Sequence, residues 1–165
     1  MLRATTGRRL TSRADPLTAT GAPDLATIGY EGATLADVIA RLQQARVRLV
    51  IDVRAVAASR RPGFSKTILA ASLNEAMIGY RHLRALGTPK AGREAARAGR
   101  YDEMRAIFEA HLGEPQAQLE LAQAATLITE QAAALLCYEA DAAHCHRHIL
   151  AGRLCETTGC EILDL

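Results

Sequence analysis

The sequence predicts an α/β fold: a single domain with a mainly parallel five-stranded sheet and helices on both faces. Three observations carry this. Short runs rich in leucine and β-branched residues alternate with stretches of 3.6-residue apolar period. The run Val47 to Val53 is apolar on both faces apart from Arg48 and Asp52, as a buried parallel strand is. The chain has 165 residues, 49% of them hydrophobic, which suits one ordinary domain with its own core. No internal repeat or second domain is visible.

Residues 1–23 carry Arg3, Arg8, Arg9 and Arg13 with Thr, Ser, Gly and Pro but no apolar run. They read as a disordered leader or cloning remnant rather than a secretory signal or a mitochondrial transit peptide, and the domain is assigned to residues 24–165. Leu25 to Tyr30 forms the first strand. Thr34 with Asp37 three residues on is an N-cap pattern, and Leu35, Val38, Ile39 and Leu42 then fall on one helix face. Val47 to Val53 is the second strand. A basic loop with a Pro62-Gly63 turn follows, and Ser65 caps a helix with the stripe Leu69, Leu73, Ala76 and Met77. Ile78 to Leu83 is strand three. Residues 84–100, with three glycines and a proline, read as a second basic connection. Helices follow over about 101–113 and 115–130, broken at Gly113 and Pro115. Ala132 to Tyr138 is strand four, Ala143 to Glu156 a helix with Gly159 as C-cap, and Cys160 to Leu165 strand five.

No run of apolar residues is long enough to cross a membrane, so no membrane partner is expected. The four cysteines, Cys137, Cys145, Cys155 and Cys160, crowd into the last 29 residues. That is unlike a disulfide framework and points to reduced thiols in a cytoplasmic compartment. Charge is uneven. Residues 54–100 hold ten basic and two acidic side chains, a net +8, whereas 101–165 hold three basic and eleven acidic ones, a net −8. The middle third therefore favours an anionic partner.

A parallel sheet places ligands at the carboxyl ends of its strands. Those ends read Gly29-Tyr30-Glu31-Gly32, Asp52-Val53-Arg54, His82-Leu83-Arg84 and Cys137-Tyr138-Glu139, and both basic loops leave from the same edge. Arg147 lies in the first turn of the last helix, where backbone N–H groups favour anions, and Cys145 beside imidazoles is a candidate nucleophile. Against cysteine chemistry of known type, a phosphatase-like loop needs Arg at position 151, which is Ala151; the shorter rhodanese spacing needs it at 150, which is Leu150. Cys-x-x-Cys pairs are absent, so neither metal nor other cofactor is expected. Asp52 and Arg54 share a strand face and can pair.

Five ordered motifs carry a resemblance: Thr27-Ile-Gly-Tyr-Glu-Gly32, Ile51-Asp-Val-Arg54, Ser59-Arg-Arg-Pro-Gly-Phe-Ser-Lys66, Tyr80-Arg-His-Leu83 with Leu86-Gly87, and Cys137-x-Glu139 with Cys145-His-Arg147. Over about residues 24–165 the chain resembles the prokaryotic family called domain of unknown function 488. The resemblance implies a bacterial, cytosolic α/β domain and assigns no activity. It marks Gly29, Tyr30, Asp52, Arg54, Arg60, Lys66, His82, Cys137, Glu139, Cys145, His146 and Arg147 as motif positions.

The expected function is a strand-end pocket for a phosphate-containing anion, in an enzyme acting on a nucleotide or nucleic-acid component. Arg54, Arg60, Lys66 and Arg147 would hold the anion, with Gly29, Tyr30 and His146 around it. Asp52 or Glu139 would act as acid or base, oriented by Tyr30 and His82. The alternatives are a non-catalytic nucleic-acid-binding module and an interaction domain docking an acidic protein. Oligomeric state is not legible.

Overall fold

In the computed structural model, which describes residues 25–165, each apolar run of the sequence becomes a strand. These are β1 (Leu25–Gly29), β2 (Leu49–Asp52), β3 (Gly79–His82), β4 (Ala133–Cys137) and β5 (Ile162–Asp164). The leader expected over residues 1–23 lies outside the described residues. All strand pairs are parallel, in the order β3-β2-β4-β1-β5. The period of two divides the side chains cleanly. Leu25, Leu49, Ile51, Ala133 and Leu135 enter one core layer, and Ala26, Ile28, Val50, Ala134 and Leu136 the other.

Helices α1 (Leu35–Gln44) and α2 (Lys66–Glu75) cover the second layer through Val38, Leu42, Leu69 and Leu73. Thr34 and Asp37 form the expected capping box at the start of α1. Ser65 occupies the N-cap of α2 but its hydroxyl turns away, donating to the Ser59 carbonyl at 3.2 Å and closing the basic loop instead. The other layer is covered by α3 (Lys90–Arg97), α4 (Tyr101–Leu112), α5 (Pro115–Glu130) and α6 (His146–Thr158).

Three expectations are corrected. Residues 84–100 are not an irregular connection: they hold a 3₁₀ turn, Arg84–Leu86, and the whole of α3. That helix buries only Gly92 and Ala95, so it carries no stripe of large apolar residues to announce it. The last helix begins at His146 rather than Ala143, because Asp141 caps a separate 3₁₀ turn (Ala142–His144) and Cys145 becomes the N-cap of α6. Finally, the four cysteines are not all thiols. Gly159 takes the left-handed conformation and turns the chain back after α6, which brings Cys155 and Cys160 into a disulfide. Cys137 and Cys145 are free and buried.

From β2 the chain runs outward to β3 on the α1/α2 face, and from β4 it runs the other way, past β1 to β5, on the α6 face. Since β2 and β4 are neighbours, their outgoing connections diverge and leave a crevice over their carboxyl ends. No helix among the described residues is long and apolar enough to cross a membrane.

Candidate functional site

The crevice opens into a cavity of about 700 Å³. Its walls come from the ends of β1 and β4, from the loop after β2, and from α3 with the start of α4. Both basic connections of the sequence therefore face one space. Five arginines line it: Arg54, Arg60, Arg61, Arg93 and Arg97.

Their guanidinium groups are not equally available. Arg54 is almost fully buried and grips Asp52 in a two-pronged pair, Nε to Oδ1 at 2.8 Å and Nη2 to Oδ2 at 2.6 Å. Its Nη1 donates to the Tyr30 hydroxyl at 2.9 Å and to the Phe64 carbonyl at 2.8 Å. Asp52 has no exposed surface; it also accepts from the Arg54 backbone N–H and, at 2.5 Å, from the Tyr80 hydroxyl. Burial works against the Arg54 charge, yet the adjoining carboxylate holds its pKa above the ordinary value. Burial and Asp52 together push the Tyr80 hydroxyl up as well. Every strong acceptor direction of Asp52 is thus occupied, and the shared strand face that the sequence shows becomes a structural clamp. Arg61 and Arg93 are partly committed, donating to the carbonyls of Ala33 at 2.6 Å and Thr88 at 2.7 Å. Arg60 and Arg97 are exposed and make no hydrogen bond or ion pair with any described residue.

On the opposite side of the sheet, β4 ends in Cys137, and the following loop returns to the first turn of α6. The Cys137 and Cys145 sulfurs each lie 3.7 Å from His146 Nδ1, and 3.2 and 3.1 Å respectively from Glu139 Oε2. His146 Nε2 faces the Val53 carbonyl at 2.9 Å and must donate to it, since a carbonyl only accepts. Burial alone would push the Cys145 thiol up; the hydrogen bond from Cys137, the His146 ring and the Arg147 guanidinium reverse this and hold it well below its ordinary value. Cys137 is pushed the other way by its hydrogen bond with Cys145 and by burial. Burial and the neighbouring Cys145 raise Glu139. His146 is raised in spite of its burial, chiefly by Cys145.

Of the residues singled out in the sequence, Tyr30, Arg54, Arg60, Glu139 and His146 line the cavity, and Cys145 lies against Glu139 and His146. Gly29 lies directly under the Glu139 peptide. His82 stands outside the lining, its Nε2 donating to the Arg54 carbonyl at 2.9 Å. Lys66 is exposed on α2, away from the lining. Arg147 is almost wholly buried: it donates to Thr27 Oγ1 at 3.2 Å, to the Glu139 carbonyl, and to the Ala140 carbonyl at 3.0 Å. Its fork ties down the β4–α6 loop and does not point at the cavity.

Sequence reasoning singled out neither Arg93, Arg97 nor Tyr101, and gave Arg61, inside a quoted motif, and His144 no place in the site, although all five line the cavity. The surplus of positive charge over 54–100 is the one signal that contained the arginines. Cys137 sits inside a quoted motif, but nothing in a strand-end cysteine reveals a partner across the next loop.

No curated protein and no solved structure matches the chain. The model of the family Domain of unknown function DUF488 matches residues 34–154, a span that holds the Asp52–Arg54 clamp, both basic connections and the Cys137–Arg147 block. The chain belongs to this family, and the matched span supplies most of the cavity just described.

Proposed function

We propose that the cavity binds a phosphate-containing anion, a nucleotide or a nucleic-acid component, and that the protein is an enzyme acting on it. One observation carries this reading: Arg60 and Arg97, one from each basic connection, face the same cavity with no side-chain partner among the described residues. Unpaired guanidinium groups converging on a concave site suit a multivalent anion better than a single surface charge does. Three of the four tyrosines, Tyr30, Tyr101 and Tyr138, also line the cavity, and the latter two are 39% and 43% exposed. Flat aromatic faces beside arginines suit a nucleobase attached to a phosphate. Glu139 stands where it could exchange a proton with a ligand lying between these groups.

Direct binding measurements with labelled mononucleotides and with single-stranded DNA, duplex DNA and RNA test the reading. Arg60→Ala and Arg97→Ala each weaken nucleotide binding about tenfold, the loss of one charge-assisted contact. Lys66→Ala leaves it unchanged. Equal affinity in all three variants would remove the pocket assignment. Tight binding of polymers but not mononucleotides, weakening along a log–log salt line of slope about −0.9 per phosphate, would make the protein a nucleic-acid-binding module instead.

A further inference from the structure

We propose that Cys137 Sγ, Cys145 Sγ and His146 Nδ1 form a binding site for a thiophilic, tetrahedral divalent cation of the zinc class, with its fourth position turned to the cavity. The three donor atoms lie within 4.8 Å of one another and all three residues are buried. Bond lengths of about 2.3 Å to sulfur and 2.05 Å to nitrogen set a tetrahedral edge of about 3.5 Å between those donors. Both sulfur–nitrogen separations here are 3.7 Å. Two of the three edges are thus already close to tetrahedral length, and the sulfurs, which lie within 4.8 Å of each other, need an edge of about 3.8 Å, so side-chain shifts of an ångström or less admit an ion.

The imidazole is oriented for this. Its Nε2–H is spent on the Val53 carbonyl, so in the neutral ring the lone pair is on Nδ1, and Nδ1 faces the two sulfurs and no other described group. A ligating histidine whose other nitrogen donates to a backbone carbonyl is the usual outer-sphere arrangement at metal centres. Phe108 packs edge-on against the ring, with centroids 5.0 Å apart, and fixes its plane. The backbone is equally committed. Cys137 ends a central strand, while Cys145 and His146 are the N-cap and first residue of α6, so none of the three depends on a loop rotamer.

Access is available from one side. Cys137, Glu139 and His146 line the cavity, and Glu139 Oε2 approaches both sulfurs from there. Three protein ligands with one open position, two sulfurs and an imidazole, is a donor set used by catalytic rather than structural zinc. Two thiols and one imidazole select a soft or borderline cation over magnesium or calcium. Loading releases to solvent the protons shared by the two thiols and the ring, so the bound ion carries two thiolates and a neutral imidazole. The site stands apart from the anion reading, because its metal content is measured with no ligand present.

The test uses the full chain, purified reduced and without added metal, then titrated with zinc and with cobalt(II). The expected result is about one zinc per chain. Cobalt should give the visible bands of a tetrahedral ion together with thiolate-to-cobalt charge transfer. Cys145→Ser and His146→Asn each lower zinc affinity more than about 100-fold, whereas the Cys155→Ser/Cys160→Ser double variant leaves it unchanged. Should a ligand variant fail to fold, the cobalt spectrum of the wild-type chain decides by itself. Absence of thiolate charge transfer overturns the proposal. So does zinc uptake that is lost in the Cys155→Ser/Cys160→Ser variant, or a Cys137–Cys145 disulfide in chain kept under reductant.

Discussion

Replacing Gly29 with alanine should dismantle the site without touching any of its side chains. A Cβ at this position would lie 1.7 Å from the Glu139 carbonyl oxygen and 2.5 Å from its carbon. Both are backbone atoms, so no rotamer change relieves the clash, and the Glu139 peptide must retreat by about 1.7 Å or more to reach ordinary contact. Overpacking of this kind costs about 1–3 kcal/mol. The retreat also pulls the Glu139 and Ala140 carbonyls off the buried Arg147 fork, and a bond to a charged donor is worth about 1.5–3 kcal/mol. Losing one of them brings the total to about 2.5–6 kcal/mol, a large share of the stability of a typical domain. Urea unfolding followed by circular dichroism measures it. Gly32→Ala and Gly99→Ala are the controls: both have φ near +74° but meet no atom within 4 Å, so they report backbone strain alone, about 1–2 kcal/mol. If Gly29→Ala costs no more than these controls, the close approach of β1 to the Glu139 loop does not hold the site.

Two further outcomes follow from the clamp and the first helix. Asp52→Asn and Arg54→Met should each cost about 3–5 kcal/mol, because either leaves its partner buried without an opposite charge; the double variant Asp52→Asn/Arg54→Met should cost clearly less than the sum. A double-mutant cycle that closes additively would show that the pair is not one unit. At Asp37, hydrogen bonds from the Thr34 hydroxyl and backbone hold the carboxyl below its ordinary 3.8. A folded value below the unfolded one gives stability that is present above the unfolded pKa and lost as pH falls through the folded pKa. Acid unfolding of Asp37→Asn should therefore be less steep below about pH 4 than that of the wild type. Superimposable acid limbs would refute the capping role.

The sheet was legible because its central strands are apolar on both faces, a pattern few other structures need. The Thr34–Asp37 box and the Asp52–Arg54 pairing were legible because each depends only on local spacing: three residues on a helix start, two on a strand. What stayed hidden depends on the rest of the fold. Helix α3 packs through Gly92 and Ala95, whose small side chains give no periodic signal. Arg54, Arg60 and Arg147 look alike as letters, yet two have their nitrogens occupied by protein acceptors and one is exposed and has no partner among the described residues. A scan for metal ligands expects closely spaced cysteines, whereas here a strand end and the next helix start are brought together by the return of a nine-residue step from Cys137 to His146. The Cys155–Cys160 bridge likewise depends on where the chain goes after the expected Gly159 cap, which the spacing of the two cysteines does not show.

The two clusters meet at consecutive carbonyls of one strand end. Val53 accepts from His146 on the α6 face, and Arg54 accepts from His82 at the end of β3. Its guanidinium meanwhile closes on Asp52. The peptides just beyond β2 are thus held from both sides, so the imidazole that faces the sulfurs inherits its position from the same segment that carries the buried ion pair. Loosening Arg54 should therefore be felt at Cys137 and Cys145, although no side chain connects them. Arg60, by contrast, lies on a loop and Arg97 ends a short helix, where either can change without moving the sheet. The sulfur–imidazole geometry is set by the strand ends, whereas Arg60 and Arg97 sit on the connections, so substitutions in the second set should leave that geometry intact and, on the proposed anion reading, change the affinity for the ligand alone.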